Sequence, residues 1–343
     1  RMNNKIIKDQ ISNDNCERLS NLYLKYGCIP FDEMPFNTSL INHNPRFIDL
    51  LFCLDVSNRE HELFARMIKN STEKEGQLFT SKKDIINFEN IHDLINEYNR
   101  RLYYKHENRK IEDFKGQLYI KGYEENTVKI IKLLNELTKE GIKGYKTSVD
   151  YWLENTSHKI DCEEKKIALR NAFDKSKVAL IYGAAGTGKT TLINHISNFF
   201  NDEKKIYLAN TNPAVDNLKR KVHASNCTHY TIAKFLTPSH IDTDCDVLFI
   251  DECSTVSNAH MYDILIKSTF KLLVLVGHIY QIESITFGNW FDIIRSFVPK
   301  TSVFELKEPY RSKNQNLLTV WKKVRELDED ILEHLARNDY TSN

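Results

Sequence analysis

No two cysteines in this chain of 343 residues are spaced C-x-x-C. The seven that occur, at positions 16, 28, 53, 162, 227, 245 and 253, form an odd and scattered set. That pattern excludes a disulfide framework or a zinc site of the usual spacing and fits reduced thiols. An excess of one charge is missing too: Lys and Arg total 48 against 47 Asp and Glu. No overall basic field therefore advertises a nucleic-acid partner, and any such site must be a local patch. Long apolar runs are absent. Val178–Ile181, Val247–Ile250 and Leu272–Val276 are far too short to span a bilayer, and the first residues lack the apolar core of a signal peptide. The expectation is a soluble, cytoplasmic chain with no membrane partner. Neither an internal repeat nor a long low-complexity linker is present. His61-Glu62 lacks the second histidine of H-E-x-x-H, and the scattered acids of the first half show no nuclease-like spacing, so no catalytic site is read there.

What is present suffices for two domains, each with its own core. Residues 1–160 carry helical spacing in Phe47-Ile48-Leu51-Phe52-Leu54, Leu63-Met67-Ile68 and Val128-Ile131-Leu134-Leu137, which predicts a mostly helical accessory domain. Pro30, Pro35 and Pro45 confine its opening segment to extended or turn conformations. Gly141 and Gly144 close a helix ending near Lys139, and Thr147-Ser148-Val149-Asp150 reads as the start of the next. Cations interleave with aromatics over Asn99–Lys110, as in a stacking surface for bases; a solvated helix face explains the same residues and is preferred.

From residue 161 to 312 strands and helices alternate. Strands are expected at 178–182, 205–209, 247–251, 272–276 and 302–306, all short and apolar, with amphipathic helices between them. Such strands are buried on both faces, which predicts a doubly wound α/β domain with a parallel sheet and a ligand site at the strands' carboxyl ends. The first of these strands runs into Gly183-Ala184-Ala185-Gly186-Thr187-Gly188-Lys189-Thr190-Thr191. This fills G-x-x-x-x-G-K-[ST], and Leu192, Ile193, Ile196 and Phe199 continue as a helix. Glycines allow the backbone N–H groups to turn inward around phosphate oxygens, the helix points its positive end at the same anion, and Lys189 adds a charge near the β- and γ-phosphates. Thr190 supplies a hydroxyl for Mg²⁺. Further on, Asp246-Val-Leu-Phe-Ile-Asp-Glu252 delivers two acids to a strand end: Asp251, 62 residues beyond Lys189, to hold Mg²⁺ through water, and Glu252 to take a proton from an attacking water.

With these motifs and four more the chain resembles the superfamily 1 helicases, in particular their RecD-like and Upf-like branch, over residues 161–325. The additional motifs are Asn210–Leu218, Thr231–Phe235, Leu275–Gln281 with Gly288–Phe291, and Glu308–Arg311. The resemblance implies a RecA-like lobe that binds ATP with Mg²⁺ and couples its hydrolysis to single-stranded DNA or RNA. It assigns strand contact to Thr211, Asn212, Pro213 and Ala214, recognition of the γ-phosphate to Gln281, and a catalytic arginine to Arg311. Two residues depart from the family: His278 stands where an aspartate is usual, and Lys165 stands where a glutamine contacts adenine, which implies looser base selectivity. Only 32 residues follow Arg311, too few for a second motor lobe. Residues 313–343 are read as a helical segment leading to that lobe. The lobe is expected from the rest of a longer polypeptide or from a partner, and this chain alone is expected to hydrolyse ATP weakly. A nucleotide-gated switch that controls a partner without unwinding is the alternative.

Overall fold

The computed structural model describes residues 51, 57–102, 104–237, 241–278, 288–307 and 323. The expectations for Pro30, Pro35 and Pro45, for the spacing around Phe47, and for residues 313–343 as a segment lie outside these residues, as do Gln281 and Arg311. The chain divides into two compact units, Arg1–Thr127 and Val128–Asn343.

In the first unit, α1 (Glu60–Glu75) and α2 (Ile91–Arg101) accompany a three-stranded antiparallel sheet that the sequence reading did not anticipate. Its strands are β1 (Thr80–Ser81), β2 (Ile111–Phe114) and β3 (Gln117–Ile120), in the order β1-β3-β2. Strands of two to four residues are too short for alternation to show. The one local signal was Lys115-Gly116, a two-residue connection in which both residues have positive φ (53° and 82°) and Phe114 pairs with Gln117, the geometry of a tight hairpin turn. Phe64, Ile68, Ile95, Tyr98, Ile111 and Leu118 form the core of this unit. Asn99 brackets the backbone of Ile111, its amide donating to the Ile111 carbonyl at 2.8 Å and its oxygen accepting from the Ile111 N–H at 3.0 Å. Arg100 and Arg101 both pair with Glu97, so this stretch behaves as the solvated helix end preferred above.

The second unit is built on a six-stranded sheet in the order β6-β5-β7-β8-β4-β9. The strands are β4 (Val178–Gly183), β5 (Lys205–Ala209), β6 (Cys227–Thr231), β7 (Val247–Ile250), β8 (Leu272–Gly277) and β9 (Val303–Leu306), and every pairing is parallel. Alternation along each strand splits the core in two. Leu180, Leu208, Leu248, Ile250, Leu273 and Leu275 face one layer. Ile181, Tyr207, Phe249, Val274 and Val276 face the other. Burial on both faces is what a covered parallel sheet requires. The first layer receives Ile130 and Leu134 of α3 (Lys121–Leu137), Ile232 and Phe235 of α8 (Ile232–Leu236), Met261 and Ile264 of α9 (Asn258–Lys267), and Ile294 of α10 (Trp290–Ile294). The second receives α4 (Tyr145–Asn155), α5 (Glu163–Asn171), α6 (Lys189–Phe199) and α7 (Asn212–Lys221).

Three details differ from the sequence reading. The division falls at Thr127/Val128, ahead of the change of pattern near residue 160, because α3 and α4 are amphipathic helices whose apolar faces cover the parallel sheet, and an apolar stripe does not name its partner. α4 starts at Tyr145, two residues before Thr147, with Gly144 in the left-handed region (φ 75°) preceding it. β6 was not anticipated as a strand: it lies at the sheet's edge, is only partly buried and lacks the apolar run of the central strands.

Candidate nucleotide site

Between β4 and β7 lies a single strand, β8. The phosphate loop leaves the carboxyl end of β4 and the acids leave that of β7, so Gly277, at the end of β8, stands between them. All three strand ends open on one cavity of about 380 Å³, lined by residues including Lys189, Thr190, Asp251, Glu252 and Gly277. Gly277 permits this closeness, since a Cβ there would meet a ring carbon of Phe291 at 2.6 Å and the Cys253 Cβ at 3.3 Å.

Gly186 and Gly188 both adopt positive φ (86° and 82°), which turns the loop tightly into α6. The Lys189 ammonium donates to the carbonyls of Gly183 (2.7 Å) and Ala184 (3.0 Å). Burial pulls its pKa down, against the attraction of Asp251 and Glu252. Thr187 is buried and its hydroxyl donates to the Ala184 carbonyl at 2.9 Å, so it braces the loop from inside.

Asp251 is 7% exposed. Burial pushes its carboxyl up to about 6; the Glu252 N–H, donating at 2.9 Å, and the Lys189 charge oppose the rise, and the Glu252 charge adds to it. Glu252 itself sits in the left-handed region (φ 55°, ψ 41°). That conformation costs a side-chain-bearing residue on the order of 1 kcal/mol or more, and bonds on both sides hold it there. Its N–H is held by Asp251, and its carbonyl accepts from the Thr255 N–H and hydroxyl, each at 2.8 Å.

Thr211 caps α7, its hydroxyl accepting from the Ala214 N–H at 3.3 Å. Thr211, Asn212 and Pro213 are exposed, whereas Ala214 is buried. Two cavity residues had no role in the sequence reading, Asn217, which lies within the Asn210–Leu218 motif, and Lys221. They are four apart on α7, hence on one helical face, and that spacing was the available signal. The Lys221 charge helps hold the Asp251 pKa down.

Lys165 is fully buried under the loop. Its ammonium bonds the Asp161 carboxylate, and a Cβ on Gly188 would lie 2.5 Å from it. Asp161 also meets Nε2 of His195 on α6 at 2.9 Å, and His195 Nδ1 lies 2.8 Å from His158 Nε2. His278 is buried at the end of β8, and the backbone of Trp290 and Phe291 is pinned nearby, by Asn258 and by the Tyr182 hydroxyl.

A family model described as an AAA domain, AAA_30, matches residues 163–342, just over half of the chain. The chain belongs to the AAA_30 family. No curated protein matches it. Solved structures similar to this AAA_30 chain include the Pif1 helicase from Candida albicans, 21% identical over 54% of this chain and 50% of that one, with a TM-score of 0.38. Another is Bacteroides Pif1 bound to ssDNA, 17% identical over 54% and 52%, with a TM-score of 0.38. A third is the UvsW helicase from bacteriophage T4, 10% identical over 49% and 70%, with a TM-score of 0.37. The chain spans about half the length of the two Pif1 structures.

Proposed function

We propose that this AAA_30 chain is part of an ATP-dependent nucleic-acid helicase or translocase of superfamily 1, RecD-like or Upf-like in its motifs. The observation that carries the reading is the meeting of Lys189, Thr190, Asp251 and Glu252 around one cavity at the carboxyl ends of β4, β7 and β8. Residues 183–191 bind the triphosphate through backbone N–H groups and the end of α6. Lys189 exchanges its carbonyl partners for phosphate oxygens. Mg²⁺ fits the donor set of Thr190 and Asp251: a hard cation favours oxygen ligands, and an acid raised by burial gains a counter-charge. When bound, the ion neutralises charge on the transferring phosphate. Glu252 accepts the proton of the attacking water. Thr211, Asn212, Pro213 and Ala214 contact single-stranded DNA or RNA, and Gln281 and Arg311 act on the γ-phosphate; all of these roles rest on the resemblance. Ala214, being buried, contributes its backbone rather than its side chain. The second lobe comes from the rest of a longer polypeptide or from a partner. The commitment of Lys165 to Asp161 supports loose selection of the base.

Steady-state ATP hydrolysis by the full-length protein, with and without single-stranded DNA and RNA, together with a strand-displacement assay, tests the reading. Strand-stimulated hydrolysis with displacement is expected. Nucleotide binding without strand stimulation would instead establish the alternative, an ATP-gated switch acting on a partner protein. The observation that favours that alternative is His278, an imidazole buried beside the site where the family places a carboxylate.

A further inference from the structure

The segment assigned to the strand and the proposed catalytic acid are joined by a short chain of hydrogen bonds. Asn210 follows the end of β5, immediately before Thr211. Its side-chain amide donates to the Thr255 carbonyl at 3.0 Å. Thr255 closes the turn after Glu252, and its N–H and hydroxyl both reach the Glu252 carbonyl. Glu252 is the one residue at the site held in the left-handed region without being glycine, so its carboxylate points correctly only while the turn around it is braced. One residue further on, the Val256 carbonyl accepts from the Trp290 indole at 2.8 Å. That anchors the far side of the turn to the core, and Asn210 holds the near side.

We propose that Asn210 is a positioning residue that transmits the state of the Thr211–Ala214 segment to Glu252. A strand seated on Thr211, Asn212 and Pro213 fixes the loop between β5 and α7. The bond that Asn210 already makes to Thr255 is then held firm, and with it Glu252 where it can accept the water's proton. The same helix returns to the site at its other end, where Asn217 and Lys221 line the phosphate cavity. α7 thus meets the nucleotide at one end and the strand segment at the other.

This inference rests on the proposed function and fails separately from it. In the full-length protein, Asn210→Ala is expected to lower strand-stimulated turnover about tenfold, the worth of one hydrogen bond made where it counts. Basal turnover should fall less than stimulated turnover, because without the strand the turn keeps its Thr255–Glu252 and Trp290–Val256 bonds, and affinity for nucleotide with Mg²⁺ should stay within about twofold of the parent. Asn210 is exposed, so its variants retain the fold. Asn210→Asp, which keeps the shape but loses the donor, should reproduce the pattern. Equal falls in basal and stimulated rates, or no fall in either, would overturn the proposal. Lys189→Ala serves as the control: if it retained full nucleotide affinity, the nucleotide-site reading would fall and this inference with it.

Discussion

At the scale of single residues the proposed chemistry rests on three side chains with separable roles. Lys189→Ala removes the ammonium that lines the cavity and that we propose faces the transferred phosphate, so hydrolysis should fall by at least about a hundredfold and nucleotide affinity should weaken with it; a fluorescent nucleotide titration beside a phosphate-release assay reads both. Glu252→Gln keeps the shape and loses the proton acceptor, so nucleotide should bind as before while turnover stops. Asp251 sets the pH response. Its folded pKa, near 6, lies above its ordinary value of 3.8 because the carboxyl is buried, so folding favours the protonated acid. The ionised form is the one a cation needs. The cost of burying it is absent at low pH, grows as pH rises from about 4 to 6, and would be relieved by the proposed Mg²⁺. Mg²⁺-dependent nucleotide binding should therefore weaken as pH falls through 6, and Asp251→Asn should flatten that profile. Titrations at pH 5, 6 and 7 check it, and equal magnesium dependence at all three would refute the assignment of Asp251.

At the scale of elements, the first turn of α6 decides whether the site exists. The turn is backed by Lys165 on α5, packed beneath Gly188. Gly188 is bound to its identity twice over. Its φ of 82° disfavours any side chain, and the space a Cβ would need is filled by the buried Lys165 ammonium. Gly188→Ala should cost roughly 2 kcal/mol from backbone strain and crowding together, seen as a lower urea midpoint, and should weaken nucleotide binding by more than that loss of stability explains. Lys165 cannot simply swing away, since its partner Asp161 is shared with His195, about two turns into α6. Hydrogen bonds from Lys165 and His195 hold the Asp161 carboxyl below its usual range, although burial works in the other direction. These contacts were invisible in the sequence: residues 161 and 165 share a helical spacing, but nothing in their spacing names Gly188 or His195 as neighbours.

At the scale of the molecule, two separate hydrophobic cores accompany the parallel sheet, and a third belongs to the unit that ends at Thr127. Because α3 and α4 supply Ile130, Leu134, Tyr145 and Val149 to the sheet's two layers, a polypeptide starting at Val128 should unfold in one cooperative transition and bind nucleotide with Mg²⁺ as the whole chain does. One that starts at residue 161 should lose both properties, having uncovered parts of both layers. Calorimetry and the same nucleotide titration on the two shortened chains compare the outcomes.

Sequence alone determined the parallel sheet and which residues gather at the carboxyl ends of its strands. Short apolar strands alternating with amphipathic helices leave little choice of architecture, and a phosphate loop cannot be written without its glycines and lysine. Lys189, Thr190, Asp251 and Glu252 were all legible because each follows a strand, and parallel strands bring their carboxyl ends together. Tertiary structure decided what lies beside them. Asn217 and Lys221 enter the cavity only because α7 packs over the sheet at one angle. Lys165 turned out to be a buried support rather than a side chain facing the cavity, because Asp161 claimed its charge. The left-handed backbone at Glu252 and its brace from Asn210 depend on β5 and β7 being neighbours, their paired residues 42 apart in the chain. Local pattern fixes an element and the end at which its chemistry appears. Which long-range partner meets that chemistry is settled by packing, where one residue's charge or volume excludes all but one neighbour.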